Sequence, residues 1–369
     1  EEGKVLALGS GVCDVLTKHP PREIDCAGKH ITPGIIDCHS HTGISKGVNE
    51  AGRSVSAEVR IADVTNPDDV SWYRQLAGGV TSVNSLHGSA NAIGGQSQTN
   101  KNRWGCLAPD DMHMEGAMPG IKFALGENPT QLNSGGPRSR YPITRMGVET
   151  LIRDRFAQAK EYAEATKARG AGVPPASNPS TPPRRDLQLE ALAEILSGAR
   201  IVHCHSYRQD EIVMLTRIAR EFGFKIGTFQ HILEGYKVAE VLKEYSGGAS
   251  GFSDWWAYKW EAYDAIPFNA AVMTSRGIVV SIHSDDNDPA RHFYQEAAKM
   301  LKYGNWTDEQ ALRLVTLNPA IQLRLENRIG SIDVGKDADL VIFNGHPFSV
   351  YSSPDMTFIE GEVYFDRAQ

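Results

Sequence analysis

The sequence has few cysteines, no long apolar run and no excess of basic residues, and each absence excludes a class of protein. Its five cysteines form no Cys-x-x-Cys pair, so free thiols are expected rather than a disulfide framework. No apolar stretch approaches the roughly 20 residues that a membrane helix needs. A net charge of −7, with dispersed lysines and arginines, argues against nucleic acid as a partner. What remains is the composition of a globular protein with a large core, 41% hydrophobic and 22% charged over 369 residues.

The first residues say little about cellular location. The chain starts with Glu1-Glu2-Gly3 instead of methionine, and its opening residues resemble the middle of a strand-rich segment. We therefore expect a processed or truncated form, for which a missing signal sequence is poor evidence. The compartment is unknown on this basis, with the cytoplasm slightly favoured.

Short apolar segments alternate with amphipathic ones between residues 30 and 330, as in repeated strand–helix units. The pattern predicts strands near residues 34–38, 79–86, 120–125, 199–204, 224–230, 248–253 and 277–282. It predicts helices near residues 149–168, 186–196, 211–222, 236–245 and 307–317. Seven of the eight strands of a barrel are placed in this way. The third falls between residues 87 and 120, where glycine, asparagine and glutamine are typical of a loop.

The predicted fold class is therefore α/β, with a (β/α)8 TIM barrel over residues 31–330. Outside the barrel, residues 1–30 and 331–369 are rich in turns and short alternating segments. N- and C-terminal strands are expected to pair beside the barrel in one small, discontinuous, β-sandwich-like domain. The missing first strands leave open whether this domain is complete at its N-terminal side.

The clearest functional signal is His39-Ser40-His41, which ends an apolar run. Side chains two residues apart in a strand point to the same face, so the two imidazoles can bind one metal ion. A His-x-His pair alone is weak, because paired histidines are often core or surface residues. The pair gains weight from polar residues that end other predicted strands.

Three further residues of this kind are His205, His231 and Asp285, each at or just after the end of a predicted strand. Imidazoles combined with a carboxylate suit zinc or another first-row divalent ion, whereas an all-oxygen set would suit calcium or magnesium. Lys122 is also unusual, because a charged residue in an apolar central strand needs a partner or a function. Its side chain could also pack along its stem with the amine reaching solvent.

These residues resemble the amidohydrolase superfamily, and within it the group of imidazolonepropionase-like proteins, prolidases and ochratoxinase-like hydrolases. The resemblance rests on residues 33–41, 79–83, 121–123, 316–320 and 330–341. It covers nearly the whole chain, and the opening and closing motifs together argue against coincidence. The family resemblance implies a metal-dependent hydrolase that acts on carbon–nitrogen bonds.

The resemblance also implies a binuclear metal centre and the roles of its ligands. His39 and His41 would bind the more buried ion, with Asp285 as the carboxylate after the last barrel strand. His205 and His231 would bind the second ion, and a carboxylated Lys122 would bridge both. Addition of CO2 would turn a cation that repels metals into an anion with an oxygen for each ion. The expected cofactor is zinc, as two divalent ions, with other first-row divalent metals as alternatives.

Several assignments stay open at this level. His203 faces the same way as His205 and could replace it as ligand, although the following residues favour His205. Glu127 is an alternative metal ligand if Lys122 is unmodified. His283 is expected to support a ligand rather than bind metal itself. A substrate contact and a structural role are about equally supported for His87.

The expected reaction is hydrolysis of an amide, cyclic amide or related bond, with Asp285 as general base and then general acid. Tyr207 and Arg208 are candidate substrate-binding residues, and arginine would suit the carboxylate of an N-acyl amino acid or an Xaa-Pro dipeptide. Further arginines that could bind a carboxylate are Arg138, Arg140 and Arg145. The aromatic patch at residues 253–260 could line the substrate site or belong to the core.

Two alternatives differ in chemistry or class. A mononuclear deaminase or imidazolonepropionase-like enzyme would need one metal and no lysine ligand. A non-catalytic scaffold relative would be expected to lose ligands, whereas this chain has the full set. A small-molecule substrate is the expected partner. The family resemblance also implies a possible homo-oligomer, because members of the superfamily often form them, whereas the sequence itself does not reveal the oligomeric state.

Overall fold

A computed structural model describes residues 2–10, 22–130, 140–170 and 184–369. Its described strands form an eight-stranded barrel sheet, in the order β2 to β9, and a four-stranded terminal sheet, in the order β1-β10-β11-β12. The strands are β1 (His30–Pro33), β2 (Ile35–Ser40), β3 (Val80–Ser85), β4 (Ile93–Lys101), β5 (Gly120–Ala124), β6 (Ile201–Ser206), β7 (Ile226–His231), β8 (Ala249–Gly251), β9 (Val280–Ile282), β10 (Leu340–Phe343), β11 (Pro354–Ile359) and β12 (Glu362–Asp366). The barrel and the pairing of N- and C-terminal strands in one sheet are as predicted.

The helices surround the barrel and bury their apolar faces against it. They are α1 (Val70–Leu76), α2 (Arg145–Gly170), α3 (Leu187–Ser197), α4 (Gln209–Phe222), α5 (Ala239–Tyr245), α6 (Asn269–Ser275), α7 (Asn287–Ala290), α8 (Phe293–Tyr303), α9 (Asp308–Arg313) and α10 (Leu317–Gln322). Asp186 caps α3 by accepting from the amides of Gln188 and Leu189, and Gly198 ends it in a left-handed conformation. None of the helices in the described ranges is long and apolar enough to cross a membrane.

The predicted strands are present within a few residues of their expected positions, and the third strand, β4, lies in the segment that resembled a loop. β4 runs antiparallel to both neighbours, whereas the other adjacent barrel strands are parallel. Ile93 therefore lies near the C-terminal ends of β3 and β5, which surround the barrel mouth. Lys101 lies at the opposite end of the barrel, its base. The two edges of the sheet meet where the Asp285 amide donates to the His39 carbonyl at 3.1 Å.

Glycines in β4 allow a close approach that a side chain would prevent. A Cβ on Gly94 would lie 2.9 Å from His87 Nδ1, and one on Gly95 would lie 2.7 Å from a Val59 methyl group. Both glycines therefore permit β4 to pack against His87 and its neighbours. The same residues gave this strand the composition of a loop.

The terminal sheet is antiparallel throughout, and β1 pairs with β10 through Ile31 opposite Ile342. It is joined to the barrel base by the buried Lys101, whose Nζ lies 2.5 Å from Asp339 Oδ2 and 2.9 Å from Asp337 Oδ2. Arg328 also pairs with Asp337, at 3.0 Å. The division into a barrel at 31–330 and a terminal domain at 1–30 and 331–369 stays a prediction, and β1 crosses its boundary.

Candidate metal centre

The mouth of the barrel gathers imidazoles from several strands. His39 is the penultimate residue of β2, His205 is in β6 and His231 ends β7, while His283 directly follows β9 and Asp285 lies two residues further on. Two groups of potential ligand atoms each lie within 4.8 Å of one another. One consists of His39, His41 and Asp285, and the other of His39, His231 and His283. Residues from distant parts of the sequence thus meet in one small volume.

The first group centres on the carboxylate of Asp285. Its Oδ1 lies 3.1 Å from His39 Nε2 and 3.3 Å from His41 Nε2. Lys122 joins from β5, with its Nζ 3.0 Å from the same His39 Nε2. Within the described ranges, no carboxylate forms a salt bridge with this buried ammonium group, which is unusual for a buried lysine.

Hydrogen bonds fix the imidazoles in orientations that suit metal binding. His41 Nδ1 donates to the Leu86 carbonyl at 2.8 Å, because a carbonyl can only accept. His39 Nδ1 contacts Gln230 Oε1 at 3.3 Å in the same manner. In both residues, the Nε2 atom that faces Asp285 is left with its lone pair. Support of this kind through the other ring nitrogen is typical of histidine ligands.

The second group continues this arrangement. His231 Nδ1 lies 2.8 Å from His283 Nε2, and His283 Nδ1 lies 2.8 Å from Ser250 Oγ. His205 packs edge-on against His231, with ring centroids 4.6 Å apart. Both ring nitrogens of His205 are buried and have no hydrogen-bond partner among the described residues. An imidazole with two unpaired buried nitrogens is costly unless something else binds it.

Burial sets the charge of these groups. It lowers the pKa of His39, His205 and His231 well below the ordinary value, so that each is a neutral imidazole, the form that binds metal. Burial also lowers the pKa of Lys122 to about 8. The pKa of Asp285 lies well below its usual range although burial opposes its ionisation, because positive charge at His39 and His231 would favour the carboxylate; ions bound by the neutral imidazoles would supply that charge instead.

This donor set fits a divalent metal of the first row. It combines the Nε2 atoms of His39 and His41, the carboxylate of Asp285 and the unpaired nitrogens of His205. His231 and Asp285 also have positive φ angles, of 66° and 57°. Such backbone conformations are unfavourable outside glycine and often occur where a functional side chain must be directed.

The other predicted ligands lie at different depths. His203 pairs in register with Lys122, two residues deeper in the strand than His205, and its Nε2 lies 3.5 Å from Asn84 Nδ2. The structure places the ring of His205, and not that of His203, against the ring of His231. Glu127 follows β5, and its amide donates to Glu261 Oε2 at 3.2 Å. It belongs to neither group of potential ligand atoms among the described residues.

The candidate substrate contacts are also separated by the structure. Tyr207 is buried beside His205, with ring centroids 4.6 Å apart. Both nitrogens of His87 are engaged by backbone, since Nδ1 donates to the Gly88 carbonyl and Nε2 accepts from the Glu50 amide. Arg208 pairs with Asp210 at 3.1 Å near the start of α4.

Two other arginines that were predicted to bind a substrate carboxylate contact groups of the protein itself. Arg140 donates to the backbone carbonyls of Arg53 and Ala90. Arg145 pairs with Glu211 and Glu261. Arg138 lies outside the described residues.

Sequence reasoning missed Gln230, and it did not predict the contacts of Tyr258 and Lys259, although both lie in the aromatic patch at residues 253–260. Gln230 supports His39, and a polar residue directly before a candidate ligand was the available signal. Tyr258 donates to the Tyr207 hydroxyl at 2.7 Å, and Lys259 lies 4.3 Å from the Tyr207 ring centroid. Both belong to an irregular loop, where no periodic pattern indicates which side chains face the site.

Known proteins resemble the whole chain. The model of the amidohydrolase family matches residues 265–364. The solved structure of an amidohydrolase from Thermotoga maritima MSB8 is 34% identical in sequence and superposes with a TM-score of 0.89. The match covers 100% of this chain and 94% of that protein's chain. Amidohydrolase tasK of Hapsidospora irregularis is 31% identical over 99% of this chain, which spans 40% of that protein's length. Imidazolonepropionase of Thermoplasma acidophilum is 25% identical, with 100% of this chain and 90% of that protein covered. The chain belongs to the amidohydrolase superfamily of hydrolases.

Proposed function

We propose that the barrel mouth is a binuclear metal centre that hydrolyses an amide or related carbon–nitrogen bond of a small molecule. The observation that carries this proposal is the convergence of His39, His41 and Asp285 beside His231 and the unpaired His205. Divalent ions held there would supply Lewis-acid activation of the scissile carbonyl and of water. The remaining chemistry belongs to side chains of the chain itself.

Asp285 is the proposed general base and then general acid. Its carboxylate lies 3.1 Å from His39 Nε2 and 3.3 Å from His41 Nε2, where a bound ion would be shared with both imidazoles, and its side chain is 26% exposed, so substrate and water can reach it. It would take a proton from the attacking water and return it to the departing nitrogen. The bond to the carbonyl carbon breaks as that nitrogen gains the proton.

Lys122 is the proposed bridging ligand after reaction with CO2. Its neutral amine would form a bond to the carbon of CO2 and release one proton, which leaves a carbamate anion. Burial lowers the pKa of Lys122 to about 8, so the neutral amine that this reaction needs is accessible near neutral pH. Carbon-13 bicarbonate added to the zinc-loaded protein is expected to give a carbamate signal that Lys122→Met lacks. If Lys122 stays unmodified, Glu127 is the alternative carboxylate.

Tyr207 is the proposed contact to the substrate carbonyl. It accepts a hydrogen bond from Tyr258, which leaves its own hydroxyl proton for another acceptor. N-acyl amino acids and Xaa-Pro dipeptides are the proposed substrates. Lys259, whose ammonium lies 4.3 Å from the Tyr207 ring centroid and pairs with Glu261 at 2.7 Å, is the proposed cation near their carboxylate. Arg208 and His87 stay predictions as further substrate contacts.

The test is a substrate panel with a matched variant. Zinc-loaded protein is assayed on N-acyl amino acids, Xaa-Pro dipeptides and cyclic amides, and Asp285→Asn is assayed on every substrate that is cleaved. The variant is expected to lose about 10²–10⁴-fold in kcat, the usual contribution of a general base. Asp355→Asn is the control for loss of a carboxylate, because Asp355 lies in the terminal sheet and pairs with Lys29 at 2.8 Å. Full activity of Asp285→Asn would contradict the assignment.

A mononuclear cyclic-amide hydrolase or deaminase is the second candidate. It is favoured by the first group of ligands, because His39, His41 and Asp285 are sufficient for one ion and His205 lies outside both groups. Metal analysis separates the candidates, since the binuclear proposal expects about two ions per chain that depend on His205, while the alternative expects one that survives His205→Ala.

A further inference from the structure

A stack of aromatic rings extends from the candidate metal centre towards the protein surface at the barrel mouth. The rings of His231 and Phe252 lie 5.1 Å apart with an angle of 17° between their planes. Phe252 and Trp255 follow at 4.4 Å and 15°. Phe252 is therefore enclosed between two nearly parallel rings, and Trp255 is the end of a stack that starts at a candidate metal ligand.

A second set of contacts returns from Trp255 to the site. Tyr258 packs edge-on against Trp255, with ring centroids 6.1 Å apart. Its hydroxyl donates to Tyr207, which lies against His205. The exposed aromatic rings thus connect to both histidines proposed for the second metal, each through one intervening ring.

Trp255 and Tyr258 have substantial free surface. They are 37% and 47% exposed, respectively. One face of Trp255 is covered by Phe252, so its exposed area belongs to the opposite face and the edges. Large exposed rings beside a polar site are typical of ligand-binding surfaces.

Salt bridges and hydrogen bonds hold the loop at residues 252–263 in place on two sides. Towards α8, Asp254 pairs with Lys299 at 2.7 Å. Towards the end of β5 and the start of α2, Lys259 donates to Asn128 at 2.8 Å and Glu261 pairs with Arg145 at 2.9 Å. A ring fixed in this way needs little ordering when it binds a ligand, which favours affinity.

We propose that Trp255 is a specificity-determining residue that stacks on a planar aromatic ring carried by the substrate at the barrel mouth. This inference rests on the proposed function and narrows its substrates to amides that carry an aromatic ring. A cationic group is a poorer fit, because the Lys259 ammonium already lies 4.3 Å from the Tyr207 ring centroid. Aromatic stacking contributes about 0.5–1.5 kcal/mol beyond burial, which corresponds to a preference of about 2–12-fold.

The experiment compares ligands that differ only in ring planarity. N-benzoylalanine is paired with N-cyclohexanecarbonylalanine, and N-acetylphenylalanine with N-acetylcyclohexylalanine, so that both sides of the amide are examined. Values of kcat/KM are measured for the zinc-loaded wild type, Trp255→Leu and Trp255→Phe. Dissociation constants for the same ligands are measured by calorimetry on the zinc-loaded Asp285→Asn protein, with and without each Trp255 variant.

Trp260→Leu is the matched control. Trp260 is on the same loop and 82% exposed, but it packs on Tyr263 and not on the stack. It is expected to leave the aromatic preference unchanged. Trp255→Leu is expected to remove the preference in at least one pair, while Trp255→Phe, which keeps a ring, retains most of it.

The outcomes separate the two proposals. An aromatic preference in binding without hydrolysis of any ligand would retain this subsite and reject the proposed reaction. Hydrolysis with equal rates for planar and saturated rings, or a preference that Trp255→Leu leaves intact, would overturn the subsite. Failure of all four ligands to bind would also overturn it, as would an equal loss of preference in Trp260→Leu.

Discussion

Two buried lysines on neighbouring strands show how differently this barrel treats charge at its base and at its mouth. Lys101 of β4 and Lys122 of β5 are both inaccessible, at 0% and 1% exposure. Lys101 lies between the carboxylates of Asp337 and Asp339, whereas Lys122 faces His39 and no salt-bridged carboxylate within the described ranges. A buried charge is tolerated when it is compensated, so the first lysine stabilises the fold and the second needs a further partner.

The largest expected effect comes from Lys122→Met. If Lys122 bridges two metals, this variant loses at least about 10²-fold in kcat, as expected when a ligand that positions the reacting groups is removed. The metal-free variant should unfold at the same temperature as the wild type or a higher one, because an uncompensated buried amine is gone. Steady-state kinetics and thermal unfolding measure the two effects. Normal activity of Lys122→Met would contradict the proposed difference between a metal-binding Lys122 and a structural Lys101.

Lys101→Met is expected to act in the opposite way. It leaves two buried carboxylates without their main cation, which should cost about 3–5 kcal/mol of unfolding free energy. Activity per folded molecule should be unchanged, because Lys101 is at the other end of the barrel. Urea unfolding measures the cost, and adding Asp339→Asn should recover part of it. A cost below about 1 kcal/mol would contradict the stabilising role.

The pH dependence of the metal-free protein provides a third test. The pKa of Lys122 is lowered from 10.5 to about 8, so between these values the unfolded chain binds a proton that the native chain has released. Stability should therefore rise with pH across this window, by roughly 3 kcal/mol from this group. Below pH 8 the penalty for burying the ammonium is fully present. Urea titrations in CO2-free buffer should show a weaker rise for Lys122→Met, and identical slopes would contradict this explanation.

The smallest effect is expected from Arg328→Ala at the base. Arg328 lies 3.0 Å from Asp337, but its side chain is 34% exposed, so solvent weakens the pair. A loss of about 1 kcal/mol or less is expected in urea unfolding. If Arg328→Ala lost as much unfolding free energy as Lys101→Met, solvent exposure would not explain the difference between the two cations.

The sequence predicts the parts of the site that depend on local pattern. Each of His39, His205 and His231 ends an apolar run, and a strand directs such a residue to the mouth of a barrel. Local pattern did not reveal β4, because Gly94 and Gly95 make room for His87 and thereby give a strand the composition of a loop.

Contacts between distant residues could not be predicted in this way. Lys101 and Asp339 are 238 positions apart, and nothing near Lys101 identifies its partner. The roles of Tyr258 and Lys259 depend on the path of an irregular loop. The occupation of both His87 nitrogens by backbone is likewise visible only once the chain is folded.

The reversed direction of β4 has a consequence for how this barrel can change. The segment that joins β4 to β5 lies at the base, where Arg328 donates to the Glu115 carbonyl. Insertions or fusions in residues 103–118 would therefore enlarge the molecule on the side away from the candidate metal centre. The loop at residues 252–263 lies at the mouth, so variation there would alter which molecules are accepted. One barrel thus offers a site for attachment and a site for diversification that can be altered independently.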